Sequence, residues 1–222
     1  MRFVGRDAEI ARAEAALAHG LNLLVVGKYG IGRTALVREL ARRNRAWRFV
    51  FADFGQSGAR ISAAILAHQS GRSRHQVRAT RKARRLARAV AEFVPPPRVE
   101  RLVIVVDDVA KVTRPKFELL RLLGESGRLA VVAIVERFVR SEDVMRIRVA
   151  LDPATVLTLD ALDLKTSTRF FAAAAAELDL PWSASDVGML ARTTHGYPLE
   201  MVRTVQAARR RSEKARPCPV SM

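Results

Sequence analysis

The stretch "GKYGIGRT" at residues 27–34 has the spacing of a phosphate-binding loop, G-x-x-x-x-G-K-[ST]. It departs from that pattern once, because Arg33 stands where the pattern has lysine, and a lysine, Lys28, follows the first glycine instead. The apolar run "LNLLVV" (21–26) precedes the loop and predicts a buried strand, while the residues after the loop predict a helix. A glycine-rich turn without a ligand is the alternative, but the order of strand, loop and helix favours a nucleotide site.

A second motif supplies acids that suit such a loop. The run "RLVIVVDD" (101–108) predicts a buried strand that ends in Asp107 and Asp108. We expect Asp107 to hold Mg²⁺ through its water shell and Thr34 to place its hydroxyl on the ion. Asp108 stands where a glutamate would polarise the attacking water, and it is one methylene shorter. A strand whose terminal acids merely cap a helix is the alternative; together the two motifs predict ATP and Mg²⁺ as cofactors.

Arg33 changes the chemistry expected of this site. A lysine ammonium is a compact charge that reaches between two phosphates, whereas a guanidinium is planar and binds phosphate in bidentate fashion. Arg33 can therefore keep the affinity for nucleotide while it misplaces charge in the transition state. With Asp108 in place of glutamate, the sequence predicts ATP binding with weak or slow hydrolysis, and Lys28 as a source of part of the missing positive charge.

The alternation of strands and helices predicts an α/β fold of three αβα layers with a mostly parallel five-stranded sheet. Together with the phosphate-loop pattern, it is the fold expected of a P-loop NTPase. Strands are expected over 21–26, 47–53, 101–108, 129–135 and 155–162. Helices are expected over 8–18, 34–43, 61–94 with a break near Ser70-Gly71, 114–125, 166–180, 184–192 and 198–211, with a loop over 54–60. We therefore expect a P-loop core over 1–162, a small all-helical lid over 163–211 and a flexible basic tail over 212–222.

The chain is strongly basic, with 39 Lys and Arg against 22 Asp and Glu, a net charge of +17 and a pI near 11.5. Such a balance favours a polyanionic partner, with nucleic acid first, although simple solubility is the alternative. The apolar runs are too short to cross a bilayer and no signal sequence is recognised, so we expect a cytoplasmic protein without a membrane partner. The single cysteine, Cys218, excludes an intrachain disulfide framework.

Residues 72–88 concentrate this charge, with eight Lys or Arg and no acid. Five arginines recur at helical spacing and share one face of the predicted helix: Arg74, Arg78, Arg81, Arg85 and Arg88. We expect this basic stripe to follow the backbone of double-stranded DNA, in a salt-sensitive way and without reading bases. A solvated face, an acidic protein, a membrane surface or a subunit contact are the alternatives.

The ordered motifs resemble those of the AAA+ and STAND group of P-loop ATPases, especially the branch of origin-initiator, archaeal-type and transposon ATP-binding proteins. "FVGRDAEI" (3–10) is similar to its N-terminal box, residues 27–34 to its Walker A motif and "LVIVVDD" (102–108) to its Walker B motif. "LAVVAIVERF" (129–138) falls where its sensor-1 strand lies, and "THGYPLEMV" (194–202) resembles the G-x-P element of its lid. The resemblance covers residues 3–211.

The resemblance implies roles for further residues. Those expected to bind the nucleotide are Val4, Gly5 and Arg6 at the adenine and ribose, Gly196 and Pro198 over the base, and Gly27, Lys28, Tyr29, Gly30, Ile31, Gly32, Arg33, Thr34 and Ala35 in the loop. Arg146 and Arg148 lie where an arginine finger reaches a neighbouring subunit's γ-phosphate, with an ordinary surface arginine as the alternative. The expected catalytic set is Asp108, Arg33, Arg146 and Arg148.

Two functions follow as hypotheses. The first is a DNA-binding AAA+ protein that assembles on DNA as an ATP-controlled homo-oligomer with slow hydrolysis, in the manner of a transposition regulator and with a transposase as a candidate partner. The second is a STAND-like nucleotide switch or scaffold that binds a protein partner and hardly hydrolyses ATP. A nucleotide-free structural remnant is a third alternative.

Overall fold

The computed structural model describes residues 3–70, 101–109, 112–127, 129–136 and 141–215. The basic stripe predicted over 72–88 and the tail after 215 lie outside these residues. The chain divides into two compact units. Of the described residues, those within 7–29 and 33–159 form the larger, here the sheet unit, and those within 3–6, 30–32 and 160–215 form the smaller, here the helical unit.

The sheet unit is built on five strands in the order β2-β3-β4-β1-β5, and every neighbouring pair is parallel. The strands are β1 (Asn22–Gly27), β2 (Trp47–Asp53), β3 (Arg101–Val109), β4 (Ala130–Glu136) and β5 (Ala154–Leu159). The central strands are almost wholly apolar and buried, as parallel strands covered on both faces must be. The predicted parallel five-stranded sheet is confirmed.

Five helices accompany this sheet among the residues that the structure describes: α1 (Asp7–Ala18), α2 (Arg33–Arg43), α3 (Gly58–Ser70), α4 (Arg114–Gly124) and α5 (Ser141–Ala150). One core joins Val50, Ile104 and Val131 of the sheet to Leu120 of α4 and Ile147 of α5. A buried amide ties strand ends together, because Asn22 donates to the Leu151 carbonyl and accepts from the Val131 N–H, both at 2.8 Å. These contacts tie together the N-terminal ends of β1 and β4, at the edge of the sheet opposite the one from which the glycine loop emerges.

A buried carboxylate on α2 pairs with two arginines of the same helix. Glu39 has only 8% of its side chain exposed and accepts hydrogen bonds from Arg42 and Arg43 at 2.7–2.9 Å. The hydrogen bond from Arg42 first, and then that from Arg43, lowers the pKa of Glu39 to about 2 despite the burial, which acts in the opposite direction. Arg43 also reaches Asp7 of α1 at 3.2 Å, so α1 and α2 are held together.

The helical unit contains α6 (Leu164–Leu178), α7 (Ala184–Thr193) and α8 (Pro198–Ala215). α6 begins at a cap in which Asp163 accepts from the Thr166 N–H, and α7 begins at the predicted capping box between Ser183 and Asp186. The three helices close around a small apolar core that contains Phe170, Phe171, Val187, Met201 and Val205. An edge-on contact between Phe171 and Trp182 extends this core at 5.9 Å between ring centroids.

Three local predictions were wrong. The loop predicted over 54–60 contains the start of α3, where Ser57 accepts from Ile61 N–H, so Gly58 lies in the first turn of a helix. The strand predicted to reach 162 ends at Leu159, because its partner β1 ends opposite it at Gly27. No helix was predicted over 141–150; α5 has few buried apolar side chains, so its pattern in sequence is weak.

Candidate nucleotide-binding site

The glycine loop leaves the sheet from its interior. Gly27 is the last residue of β1 and lies between Glu136 of β4 and Leu159 of β5, each directly opposite it in the ladder. The carboxyl ends of parallel strands meet at one edge of a sheet, and ligands of α/β proteins bind there. The loop is thus placed where the fold has its binding edge, as the sequence predicted.

The loop residues differ in their surroundings. Lys28 and Tyr29 are exposed, Tyr29 at 65%, whereas Ile31 is buried. Gly30 and Gly32 have φ of +78° and +95°, values that residues other than glycine rarely adopt. Gly27, Lys28, Tyr29, Arg33, Thr34 and Ala35 belong to the sheet unit, and Gly30, Ile31 and Gly32 belong to the helical unit.

The predicted metal ligands meet. Thr34 in the first turn of α2 donates from Oγ1 to Oδ2 of Asp107 at the end of β3, over 3.0 Å. Both side chains are partly buried. A hydroxyl and a carboxylate at this distance are hard oxygen donors of the kind that Mg²⁺ takes through one or two protein groups and its own water. The residues present therefore fit a magnesium ion beside the loop.

Arg33, in turn, lies beside a carboxylate that the sequence analysis did not assign. Its side chain is only 13% exposed, and its Nη2 lies 4.0 Å from Oε2 of Glu136, which is 36% exposed. The register explains the meeting, because Glu136 is the residue opposite Gly27 in the ladder. Glu136 ends the strand in the sensor-1 region; only the pairing of β4 with β1 could have identified it. A carboxylate from β4 therefore lies beside Arg33, the residue that stands where the pattern has lysine.

The second acid of the predicted pair, Asp108, lies in β3, but its side chain is outside the described part of the structure. Its role as the residue that polarises water remains a prediction. Asp107 lies opposite Asp53 of the edge strand β2. Asp53 accepts from the Gly55 N–H and from Gln56, so it shapes the turn after β2.

The N-terminal box residues lie in the helical unit. Gly5 has φ of +79°, and a Cβ there would lie 2.6 Å from Cγ2 of Thr166. Arg6 also has positive φ, at 66°, and donates to the Asp160 carbonyl. Val4 packs against the apolar core of this unit. Whether these residues line an adenine stays a prediction, but their conformation has a packing cause within the unit.

Gly196 of the predicted lid element is also constrained by packing. A Cβ at Gly196 would lie 1.9 Å from the carbonyl oxygen of Leu162, and Leu162 donates its N–H to the Gly196 carbonyl at 2.9 Å. Gly196 has φ of +68°. Pro198 begins α8 two residues later. Glycine is therefore required for close backbone contact, and a role toward a base remains a prediction for Gly196 and Pro198.

The two candidate finger residues lie on α5. Arg146 is 61% exposed and lies 3.8 Å from Asp143, one turn before it, and Arg148 is exposed on the same helix. Arg146 also lines a shallow cleft of about 270 Å³ with Val112, Arg114 and Phe117. Both arginines are available to an outside partner, and their reach to a neighbouring γ-phosphate remains a prediction.

The stripe arginines Arg74, Arg78, Arg81, Arg85 and Arg88 lie outside the described residues, so their predicted DNA contacts are not tested. Across the ranges that the structure does describe, no three His, Cys, Asp or Glu side chains cluster as metal ligands. Within the same ranges, no helix combines the length and the apolar character needed to span a bilayer.

Comparisons with solved structures show the fold. The chain is similar to the Orc1 protein of Aeropyrum pernix in complex with DNA, with a TM-score of 0.68, 18% identity and coverage of 100% of this chain and 63% of that one. The RuvB Holliday junction branch migration motor of Thermotoga maritima is similar with a TM-score of 0.62 and 18% identity, over 92% of this chain and 61% of that one. Hsp104 of S. cerevisiae in complex with casein is similar with a TM-score of 0.68 and 13% identity, over 96% of this chain and 38% of that one. The chain thus spans less than two thirds of each of these proteins.

Among curated proteins, no match was found. The profile of one protein family, described as the AAA ATPase domain, matches residues 2–135, which is more than half of the chain. The match includes the loop, Thr34, Asp107 and all of β1 to β3. With the parallel sheet order and the meeting of Thr34 and Asp107, this match identifies the chain as a member of the AAA ATPase domain family.

Proposed function

We propose that this protein binds ATP with Mg²⁺ at the loop of residues 27–34, binds the backbone of double-stranded DNA, and assembles there as an ATP-controlled homo-oligomer. The single observation that carries the nucleotide part is the 3.0 Å hydrogen bond between Thr34 and Asp107. It joins the hydroxyl of Thr34, the last residue of the loop, to the carboxylate of Asp107 in the second motif, although the two residues are far apart in the sequence. A hydroxyl and a carboxylate are the kinds of oxygen ligand that a nucleotide-bound magnesium ion takes from a protein, so their meeting supports the proposed site.

The residues divide the work of binding as follows. The N–H groups of the loop and the N-terminal end of α2 would take the phosphate oxygens. Thr34 and Asp107 would hold Mg²⁺, which neutralises phosphate charge when bound. Arg33, in the first turn of α2, would add a guanidinium to the phosphates, and the exposed Lys28 would add a second cation.

Hydrolysis is expected to be slow. The guanidinium of Arg33 is near Glu136 at 4.0 Å, so part of its field is already compensated before a phosphate arrives. A cation that is shared with a carboxylate stabilises developing phosphate charge less well than an unshared lysine ammonium would. Asp108 is proposed to orient the attacking water, over a shorter reach than glutamate allows. These features favour a protein that holds ATP for long periods.

The DNA part rests on charge. The net charge is +17, and the predicted stripe of residues 72–88 holds eight cationic side chains with no acid. One structural neighbour is described in complex with DNA, an Orc1 protein, and another is described as a Holliday junction branch migration motor. Backbone contacts of this kind release counterions, and their affinity falls steeply with salt.

Oligomer formation is supported by the exposure of α5. Met145 and Val149, one turn apart, are 56% and 62% exposed, and the exposed Arg146 and Arg148 lie between them in the sequence. An exposed apolar pair with cationic neighbours is suited to a contact between proteins. We propose that a neighbouring subunit meets this face when ATP is bound, with Arg146 or Arg148 reaching its γ-phosphate.

The nucleotide part is tested by titration calorimetry with ATP, with and without Mg²⁺. We expect wild-type protein to bind ATP more tightly with Mg²⁺, and Arg33→Ala to weaken binding by roughly 10- to 100-fold, the value of one or two charge-assisted hydrogen bonds. Arg38→Ala is the matched control, because Arg38 is exposed on the same helix. Equal affinity of wild type and Arg33→Ala would remove Arg33 from the phosphate site, and no binding by wild type would end the proposal.

The DNA part is tested by filter binding to duplex DNA across salt concentrations, with and without ATP. We expect affinity that requires ATP and falls with salt. Replacing the five stripe arginines by glutamine should flatten the slope of log affinity against log salt by about 4.5, near 0.9 for each lost phosphate contact. A control of equal charge replaces five exposed arginines elsewhere, Arg12, Arg45, Arg60, Arg192 and Arg203. Affinity that depends on neither ATP nor salt would refute the DNA proposal.

One observation favours the second function, a switch that binds a protein partner and scarcely hydrolyses ATP. The proximity of Arg33 to Glu136 reduces the catalytic value of the cation without removing the site. If the DNA experiment fails while ATP binding succeeds, the switch is the remaining function. A role in transposition, with a transposase as partner, is tested by asking whether ATP-loaded protein on DNA retains a transposase that protein without ATP releases.

A further inference from the structure

The tip of the glycine loop and the beginning of α8 pack together within the helical unit. The carbonyl of Gly30 accepts a hydrogen bond from the Leu199 N–H at 3.1 Å. Gly32 lies beside Pro198, since a Cβ on Gly32 would be 3.9 Å from two carbons of that ring. Pro198 has no N–H to offer, so Leu199 supplies a donor from the first turn of α8, where helical N–H groups have no partner in the helix.

Gly30 has no room for a side chain on the face that meets Leu199. A Cβ there would lie 2.7 Å from Cδ2 of Leu199 and 2.8 Å from its Cβ. The φ of +78° adds a second reason for glycine at this position. Because Gly30 has no side chain, Leu199 can pack directly against it. Leu199, which is far away in the sequence, therefore contacts the tip of the loop.

We propose that Leu199 is a positioning residue for the phosphate loop, an inference that rests on the proposed binding of ATP. In a trans peptide unit the C=O and the following N–H point in opposite directions. When Leu199 takes the Gly30 carbonyl, the N–H of Ile31 in the same peptide unit is turned to the other side. A loop that binds phosphate needs its N–H groups on the anion's side and its carbonyls away from it. Leu199 thus fixes one N–H before the nucleotide binds.

The experiment measures ATP affinity by calorimetry, with Mg²⁺, in wild type and four variants. Leu199→Gly keeps the N–H that the Gly30 carbonyl accepts but removes the side chain that packs on Gly30 and holds that N–H in place. Gly30→Ala creates a clash with the Leu199 side chain. The double variant Gly30→Ala, Leu199→Gly keeps the strained φ but removes the obstacle. Glu200→Gly is the matched control for glycine in the first turn of α8, because Glu200 is exposed next to Leu199.

We expect Leu199→Gly to weaken ATP binding about 5-fold and Gly30→Ala to weaken it at least 50-fold, the second by strain and by the clash together. The double variant should bind about tenfold more tightly than Gly30→Ala, and Glu200→Gly should bind as wild type does. Rescue by a second substitution that itself weakens binding is not expected from a general loss of stability. Hydrogen exchange without nucleotide should also find the Leu199 amide protected in wild type and less protected in Gly30→Ala.

The inference is wrong if Leu199→Gly binds ATP as wild type does, or if the double variant binds as weakly as Gly30→Ala. Both outcomes leave ATP binding by the wild type, and with it the proposed function, intact. If the wild type binds no ATP, the proposed function fails and the positioning role fails with it. Thermal unfolding of each variant without nucleotide identifies any that do not fold. If Gly30→Ala does not fold, the ATP affinity of Leu199→Gly relative to that of Glu200→Gly tests the inference.

Discussion

The substitution Glu136→Gln gives a direct measure of how the acid beside the loop affects nucleotide binding. Two effects act in the same direction. The change removes a negative charge close to where phosphates would lie, and it releases the Arg33 guanidinium, 4.0 Å away, from competition with those phosphates. Since neither effect opposes the other, we expect ATP to bind more tightly to Glu136→Gln than to wild type.

The magnitude follows from the distance and the exposure. Two unit charges 4.0 Å apart interact by about 4 kcal/mol at an effective dielectric constant of about 20. Glu136 is 36% exposed, so solvent screening reduces this to roughly 1–2 kcal/mol. The affinity for ATP should therefore rise about 5- to 30-fold. ADP, with one negative charge fewer, should gain less than ATP.

The assay is calorimetric titration of ATP and ADP at fixed Mg²⁺ and low salt. Glu125→Gln is the matched control, because Glu125 pairs with Arg121 at 2.7 Å on the exposed side of α4. That variant should bind nucleotide as wild type does. Unchanged or weaker ATP binding by Glu136→Gln would refute the reasoning, since it would mean that the carboxylate does not face the phosphates or that it holds Arg33 in a productive place.

Three further outcomes are expected. Thr34→Ala should weaken ATP binding about tenfold with Mg²⁺ but leave it unchanged in EDTA, by calorimetry, because the hydroxyl acts through the metal. Gly196→Ala should destabilise the fold by more than about 3 kcal/mol in denaturant titration, because its Cβ would lie 1.9 Å from the Leu162 carbonyl oxygen. The lowered pKa of Glu39 means that its contribution to stability is present above pH 4.5 and is lost as the pH falls toward about 2. Glu39→Gln should therefore lower the free energy of unfolding by about 1–2 kcal/mol at pH 7, because solvent around the exposed Arg42 weakens the ion pair, and should make stability depend less on pH between 4.5 and 2.

Most of the fold was predictable because its signals are local. The buried parallel strands β1 and β4 are runs of Val, Leu, Ile and Ala, and each was predicted to within one residue of its bounds. The edge strand β2 was predicted with both of its bounds, Trp47 and Asp53. The helix over residues 141–150 was missed because Ile147 and Ala150 are its clearest buried residues, too few for a stripe. The extension of β5 to 162 was wrong because a strand ends where its partner ends, and that partner is known only from the sheet order.

The candidate site was predictable in its motifs but not in its contacts. Thr34 and Asp107 were assigned from two separate patterns, and their hydrogen bond agrees with that assignment. Glu136 and Leu199 were not assigned a role. Each meets the loop through the pairing of distant segments, β4 beside β1 in one case and the start of α8 beside Gly30 in the other. No spacing within the sequence encodes either meeting.

These two contacts bear on why the loop can lack its lysine. In the usual pattern one ammonium serves both to attract the phosphates and to stabilise the charge that develops on them during transfer. Here the guanidinium of Arg33 shares its field with Glu136, which leaves it suited to attraction more than to stabilisation of a transition state. The geometry of the loop tip is secured separately, by the Leu199 N–H on the Gly30 carbonyl. A site in which binding geometry is retained while the catalytic cation is compensated should bind ATP but hydrolyse it slowly. Single-turnover hydrolysis measured beside nucleotide dissociation decides this, because hydrolysis that is fast relative to dissociation would contradict it.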